Sequence, residues 1–105
     1  MAMLLGKGQS LLQMNDAKPA LVCFEEVLEM EPANAEALVK KGLALEQLDL
    51  LDEALAQYDR AIAAHPSLTT AFLHKGGVFN RMERYEEALE CYEKALLTQE
   101  KKVAA

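Results

Sequence analysis

Lys-Gly occurs at Lys7-Gly8, Lys41-Gly42 and Lys75-Gly76, and each glycine stands 34 residues from the next. Rows running 1–34, 35–68 and 69–102 align far more than this dipeptide. Leu4, Leu38 and Phe72 share a column, as do Leu11, Leu45 and Phe79. Ala20-Leu21, Ala54-Leu55 and Ala88-Leu89 repeat, followed by the aromatics Phe24, Tyr58 and Tyr92, then Leu28, Ile62 and Leu96. Pro32 and Pro66 close the first two rows. Agreement in so many columns at one period marks an internal repeat, whose units bury their apolar faces against one another.

Within a row the spacing is helical. Leu38, Gly42, Leu45 and Leu48 step by three and four along one stripe, and Leu51, Ala54, Leu55, Tyr58, Ala61 and Ile62 form a second. Asp49 or Asp52 offers a start for the second helix, and Pro66 stops it. Each row therefore predicts a helix-turn-helix pair of about 13 residues per helix. A glycine inside such a helix costs about 0.5–1 kcal/mol relative to alanine. Close helix approach offsets that cost, and the pairs Gly8–Ala20, Gly42–Ala54 and Gly76–Ala88 are the expected small-on-small crossings.

This ordered set of large apolar, Gly, large apolar, Ala, aromatic, Ala and Pro resembles the tetratricopeptide repeat (TPR) family. Row two carries it as Leu38, Gly42, Leu45, Ala54, Tyr58, Ala61 and Pro66. Row three has Phe72, Gly76, Phe79, Tyr85, Ala88, Tyr92 and Ala95, with Glu100 where proline is usual; row one has Leu4, Gly8, Leu11, Ala20, Phe24 and Pro32, with Val27 where alanine is usual. The resemblance implies an all-α, right-handed α-solenoid of six helices forming a single domain over 1–105. It also implies a concave groove lined by the first helices. Lys7, Lys41 and Lys75 stand where the family more often has leucine, and are read as stems along the repeat edge with solvated ammonium groups.

Composition narrows the function classes. At 105 residues the chain is one domain at most, and 51% hydrophobic residues suffice for a packed core. No apolar run approaches the roughly 18 residues of a membrane span, and "MAMLLGKGQ" lacks the pattern of a secretory signal, so a soluble chain is expected. A net charge of −6 disfavours nucleic-acid binding, which needs basic surface. The charge is uneven. In segments 1–14, 35–48 and 69–82, Lys7, Lys40, Lys41, Lys75 and Arg81 oppose Glu36 and Glu46, giving +3, whereas the remainder carries −9. The acidic back reads as solvated surface.

The groove positions implied by the resemblance include Leu5, Gln9, Leu12 and Gln13, then Glu36, Val39, Lys40, Leu43, Glu46 and Gln47, then Thr70, Leu73, His74 and Arg81. Leu5, Val39 and Leu73 share a column, an expected apolar strip with Lys40, His74 and Arg81 as donors beside it. The expected partner-binding set is thus Leu5, Gln9, Val39, Lys40, Leu43, Leu73, His74 and Arg81, taking a peptide or a partner helix. The carboxylate clamp for chaperone tails, in contrast, requires Lys and Asn, Asn, then Lys and Arg. Leu5, Gln9, Lys40, Thr70 and His74 stand there instead, and chaperone-tail binding is rejected.

Catalysis and metal binding find no support. His65 and His74 lack partners at metal spacing, and no Ser nucleophile motif, phosphate loop or CxxC is present, so no enzyme activity and no cofactor are expected. His65, beside Pro66 at a helix end, reads as a favourable cation for the helix dipole. Cys23 and Cys91 lie two periods apart, hence roughly 16–20 Å in a stack of helices spaced about 8–10 Å. That is beyond disulfide reach, so two free thiols are expected, as suits a reducing cytoplasm. The chief expectation is an adaptor or scaffold module. The alternatives are self-association through ends that carry Leu89, Leu96 and Leu97 without a polar cap, or the recruiting arm of a larger protein.

Overall fold

The computed structural model describes residues 2–104, with side chains through Glu100. Its elements are α1 (Ala2–Gln13), α2 (Ala17–Met30), α3 (Ala35–Gln47), α4 (Leu51–Ala64), α5 (Thr69–Arg81) and α6 (Tyr85–Ala104). They stack as three helical hairpins. Each first helix packs on its own second helix, and α3 and α5 also pack on the second helix of the preceding repeat. The first helices also meet one another, α1 on α3 and α3 on α5, while among the described residues the second helices do not. A stack pinched along its first helices curves toward them, and that side is the inner one.

The turn inside each repeat is the same, and its cause is local. Asn15, Asp49 and Glu83 have φ of 59°, 61° and 59°, the left-handed conformation that ends a helix. The next N–H reaches five residues back: Asp16 to Leu11 at 2.8 Å, Leu50 to Leu45 at 2.9 Å, Arg84 to Phe79 at 2.9 Å. These bonds satisfy carbonyls that the last turn would leave unpaired. Asp49 therefore closes α3 rather than opening α4, correcting the sequence expectation. Asp52 lies in the first turn of α4, where the dipole favours an acid, without capping it.

Between repeats, the residues before Pro32 and Pro66 are pushed out of helical geometry. Glu31 and His65 cap α2 and α4 through their own N–H groups. Asn34 then starts α3, its side-chain oxygen accepting from Ala37 N at 3.0 Å. Glu100 imposes no such stop, and α6 runs for 20 residues instead of the expected 13 or so.

The repeating glycines face rings. A Cβ on Gly8, Gly42 or Gly76 would come closer than 3.0 Å to Phe24, Tyr58 or Tyr92 respectively. The aromatic one turn beyond each predicted alanine is thus what the glycine accommodates. Ala20, Ala54 and Ala88 are buried nearby. The central core joins all three repeats, with Tyr58, Leu38, Val27 and Val78 essentially inaccessible to solvent. Cys23 and Cys91 are buried, free thiols.

Candidate functional site

Two cavities open on the inner side. The larger, about 690 Å³, lies over α1 and α3 and includes Gln9, Leu12, Leu43, Gln47 and Arg81 in its lining. The second, about 450 Å³, lies over α3 and α5 and takes in Val39, Lys40, His65, Leu68 and His74. Gln9 and Leu43 line both, so the two form one groove across the repeats.

Its floor is apolar because the inward side of α3 carries Val39 and Leu43, flanked by Leu12 and Leu68. Its walls are polar and tied across repeats. Lys40 Nζ, on the middle of α3, donates to Gln9 Oε1 at 2.8 Å and lies 3.9 Å from Glu36. Gln47 donates to the Leu12 carbonyl at 2.9 Å. Arg81 reaches from α5 to Asp49 at 3.0 Å and Glu46 at 3.5 Å. Glu46 in turn accepts from the Tyr58 hydroxyl.

Burial, then the Glu46 carboxylate, pushes the Tyr58 phenol far above its usual range, so it stays protonated and donates. His74 stacks on the Tyr58 ring, centroids 5.8 Å apart and planes 22° from parallel. Burial lowers its pKa from the ordinary 6.5; Glu46 opposes this and Lys40 adds to it. Near neutral pH His74 is therefore a neutral imidazole.

Six of the eight expected binding residues line the groove: Gln9, Val39, Lys40, Leu43, His74 and Arg81. The apolar strip, however, is not continuous. Leu5 packs into the core, Val39 is 7% exposed, and Leu73 lines a separate cavity of about 310 Å³ against α6. The column splits because each later repeat covers the one before it, and no further repeat stands beyond Leu73 among the described residues. The same end effect leaves Leu89 and Leu96 59% and 62% exposed, while their counterparts Leu55 and Ile62 pack against the core.

Lys40 and Arg81 are engaged within the protein rather than held out as free donors. Of the three edge lysines, Lys75 pairs with Asp59 at 2.7 Å and lies over Phe79. His65, expected only to favour a helix end, lines the second cavity together with Leu68. Both come from the turn before α5, where a proline-terminated helix gives little periodic signal. Among the described residues, no group of three or more His, Cys, Asp or Glu is placed to hold a metal. No described helix is long and apolar enough to cross a membrane.

A Tetratricopeptide repeat family model matches residues 5–69, and a second with the same description matches 69–102. The chain belongs to the tetratricopeptide repeat family. No curated relative matches it by sequence. Among solved TPR structures, the crystal structure of MamA is similar at a TM-score of 0.90 and 22% identity, covering 97% of this chain and 60% of MamA. The TPR domain of Sgt2 from Aspergillus fumigatus gives 0.89 at 21% identity, covering 93% and 65% of the two chains. The second TPR of Spaghetti (RPAP3), bound to the HSP90 peptide SRMEEVD, gives 0.85 at 21% identity, covering 92% and 90%. The chain thus spans three-fifths of MamA's length, and these likenesses establish the TPR fold.

Proposed function

We propose that this chain is a protein-interaction module that holds a segment of a partner protein in the groove of α1, α3 and α5 without catalysing a reaction on it. The observation that carries this reading is the continuity of the two inner cavities through Gln9 and Leu43, over a floor of Leu12, Val39, Leu43 and Leu68. An apolar floor between polar walls suits a chain segment whose side chains seat below and whose polar groups are met at the rim. Peptide occupancy of the RPAP3 domain is consistent with this. The chaperone tail itself is not the proposed ligand, because Leu5, Gln9, Lys40, Thr70 and His74 stand at the clamp positions. Buried, unlinked Cys23 and Cys91 fit a reducing compartment such as the cytoplasm.

Selection from a random peptide library displayed on phage tests the reading. Enriched peptides should lose binding to Leu43→Asp at the groove floor and retain it in Glu29→Ala on the convex side. Enrichment insensitive to Leu43 would place recognition elsewhere and overturn it.

A second reading is favoured by Leu73, Leu89 and Leu96, whose counterparts in earlier repeats are covered by a later helix. This end face would then bind another copy of the chain or a helix of a larger protein. Sedimentation over a hundredfold concentration range checks the first case: a dimer that Leu89→Lys dissociates supports it, and a monomer throughout excludes it.

A further inference from the structure

The recurring lysine marks the junction between repeats. Lys75 Nζ, on α5, lies 2.7 Å from a carboxylate oxygen of Asp59 on α4, the second helix of the preceding repeat. One repeat earlier the same two columns hold Lys41 and Glu25, so a base on the later helix again accompanies an acid on the earlier one. At the two ends of the stack these columns carry Lys7 on α1 and Glu93 on α6, both exposed. The neighbouring columns divide in the same way. Ala37 and Ala71 share one, Ala44 and Val78 another, and all four are fully buried in core clusters that include residues of the preceding repeat. Their first-row counterparts, Met3 and Ser10, are exposed. Met3, Lys7 and Ser10 step by four and three, which places them on one stripe of α1. Opposite in the logic of the stack is the face of α6 bearing Leu89, Glu93 and Leu96.

These two faces are the separate halves of a junction that the chain builds twice within itself. We propose that a second copy of the chain docks head to tail, its α1 lying on α6 as α3 lies on α2 and α5 on α4. Lys7 of the second copy pairs with Glu93, the counterpart of the Lys75–Asp59 contact. Met3 of the second copy enters the cavity of about 310 Å³ lined by Thr69, Leu73, Tyr92, Ala95, Leu96 and Gln99. One repeat earlier, Ala71 shares a core cluster with Tyr58 and Ala61, the counterparts of Tyr92 and Ala95. Methionine is longer than alanine and unbranched, so it adapts to such a gap. This rests on the end-face reading above and names its occupant and the occupant's orientation. The contact is heterologous, and each added copy presents a new α6 face, so the assembly grows with concentration. Two α6 faces paired about a two-fold axis would instead stop at a dimer.

Sedimentation of the full chain across concentration tests this, with circular dichroism melts confirming that each variant is folded. The wild type should pass from monomer through dimer to larger species. Lys7→Glu and Glu93→Lys each set like charges against one another in every junction, and each alone should weaken association about tenfold. An equimolar mixture of the two variants should recover it, because every contact between unlike chains again joins opposite charges. The chain carrying both substitutions should recover it alone. A dimer that stops growing and ignores Lys7→Glu overturns head-to-tail docking but leaves α6 as an association face. Weakening by both single variants without recovery in the mixture overturns the pairing of Lys7 with Glu93. A monomer at every concentration overturns the proposal and self-association through the end face together.

Discussion

The hydroxyl of Tyr58 and the carboxylate of Glu46, twelve residues apart, form a hydrogen bond beneath the groove. The corresponding pair in the third repeat is Asn80 Nδ2 donating to Tyr92 Oη at 2.9 Å. In the first repeat both members are apolar, Leu12 and Phe24, packed in one cluster. Wherever the aromatic carries a hydroxyl, the residue twelve positions earlier is polar. A buried phenol without a partner would cost more than the bond returns.

Tyr58→Phe should lower stability by about 1–2 kcal/mol, since Glu46 loses a donor in a half-buried place. Adding Glu46→Leu, which recreates the first-repeat pair, should recover part of that loss. Urea unfolding of both single variants and the double variant gives the coupling, expected at about 0.5–3 kcal/mol. Strictly additive effects would deny the link.

His74 makes stability pH-dependent with a definite sign. Its folded-state pKa lies below the unfolded value of 6.5, chiefly through burial. The unfolded chain therefore binds the proton more readily, and stability falls as the pH drops below 6.5 toward the folded pKa. Above 6.5 the contribution is full. Melting temperatures between about pH 7.5 and 5 should fall more steeply in the wild type than in His74→Gln, with His65 common to both. Parallel slopes would refute the assignment.

Glycines at similar helical depth should respond in opposite directions. Gly42→Ala drives a Cβ into the ring of buried Tyr58 and should cost about 1–3 kcal/mol, less the helix propensity gained. Gly77 has open space around its Cβ position, so Gly77→Ala should stabilise by up to about 1 kcal/mol. Thermal melts of the two variants decide the point, and equal shifts would mean that the ring does not set the glycine requirement.

Glu83 occupies the left-handed turn position that Asn15 and Asp49 fill elsewhere. A glutamate bears the full steric cost of that conformation, about 1–2 kcal/mol, whereas glycine does not. Glu83→Gly should raise the melting temperature despite the entropy glycine adds to the unfolded chain. A lowered melting temperature would show that the side chain contributes more than its backbone costs.

The 34-residue period was enough to determine the number of helices and the columns that become core within each helix pair, because the two helices of a unit meet through the same columns in every row. It also carried the Tyr58–Glu46 relationship, readable as polarity that accompanies the hydroxyl from row to row. The proline-free third row likewise accounts for the length of α6. Tertiary structure alone decided the rest. Leu5, Val39 and Leu73 share one column yet differ in burial, since burial within a stack depends on the repeats packed to either side and not on residue type. The charges of Lys40 and Arg81 became internal ties only when α3 met Gln9 of α1 and α5 met Glu46 and Asp49, partners 31 to 35 residues away. Which end of the Gln9 and Gln47 amides bonds within the protein arises the same way: an amide carries both a donor and an acceptor end, and only the group packed against it, Lys40 for Gln9 and the Leu12 carbonyl for Gln47, determines which is used.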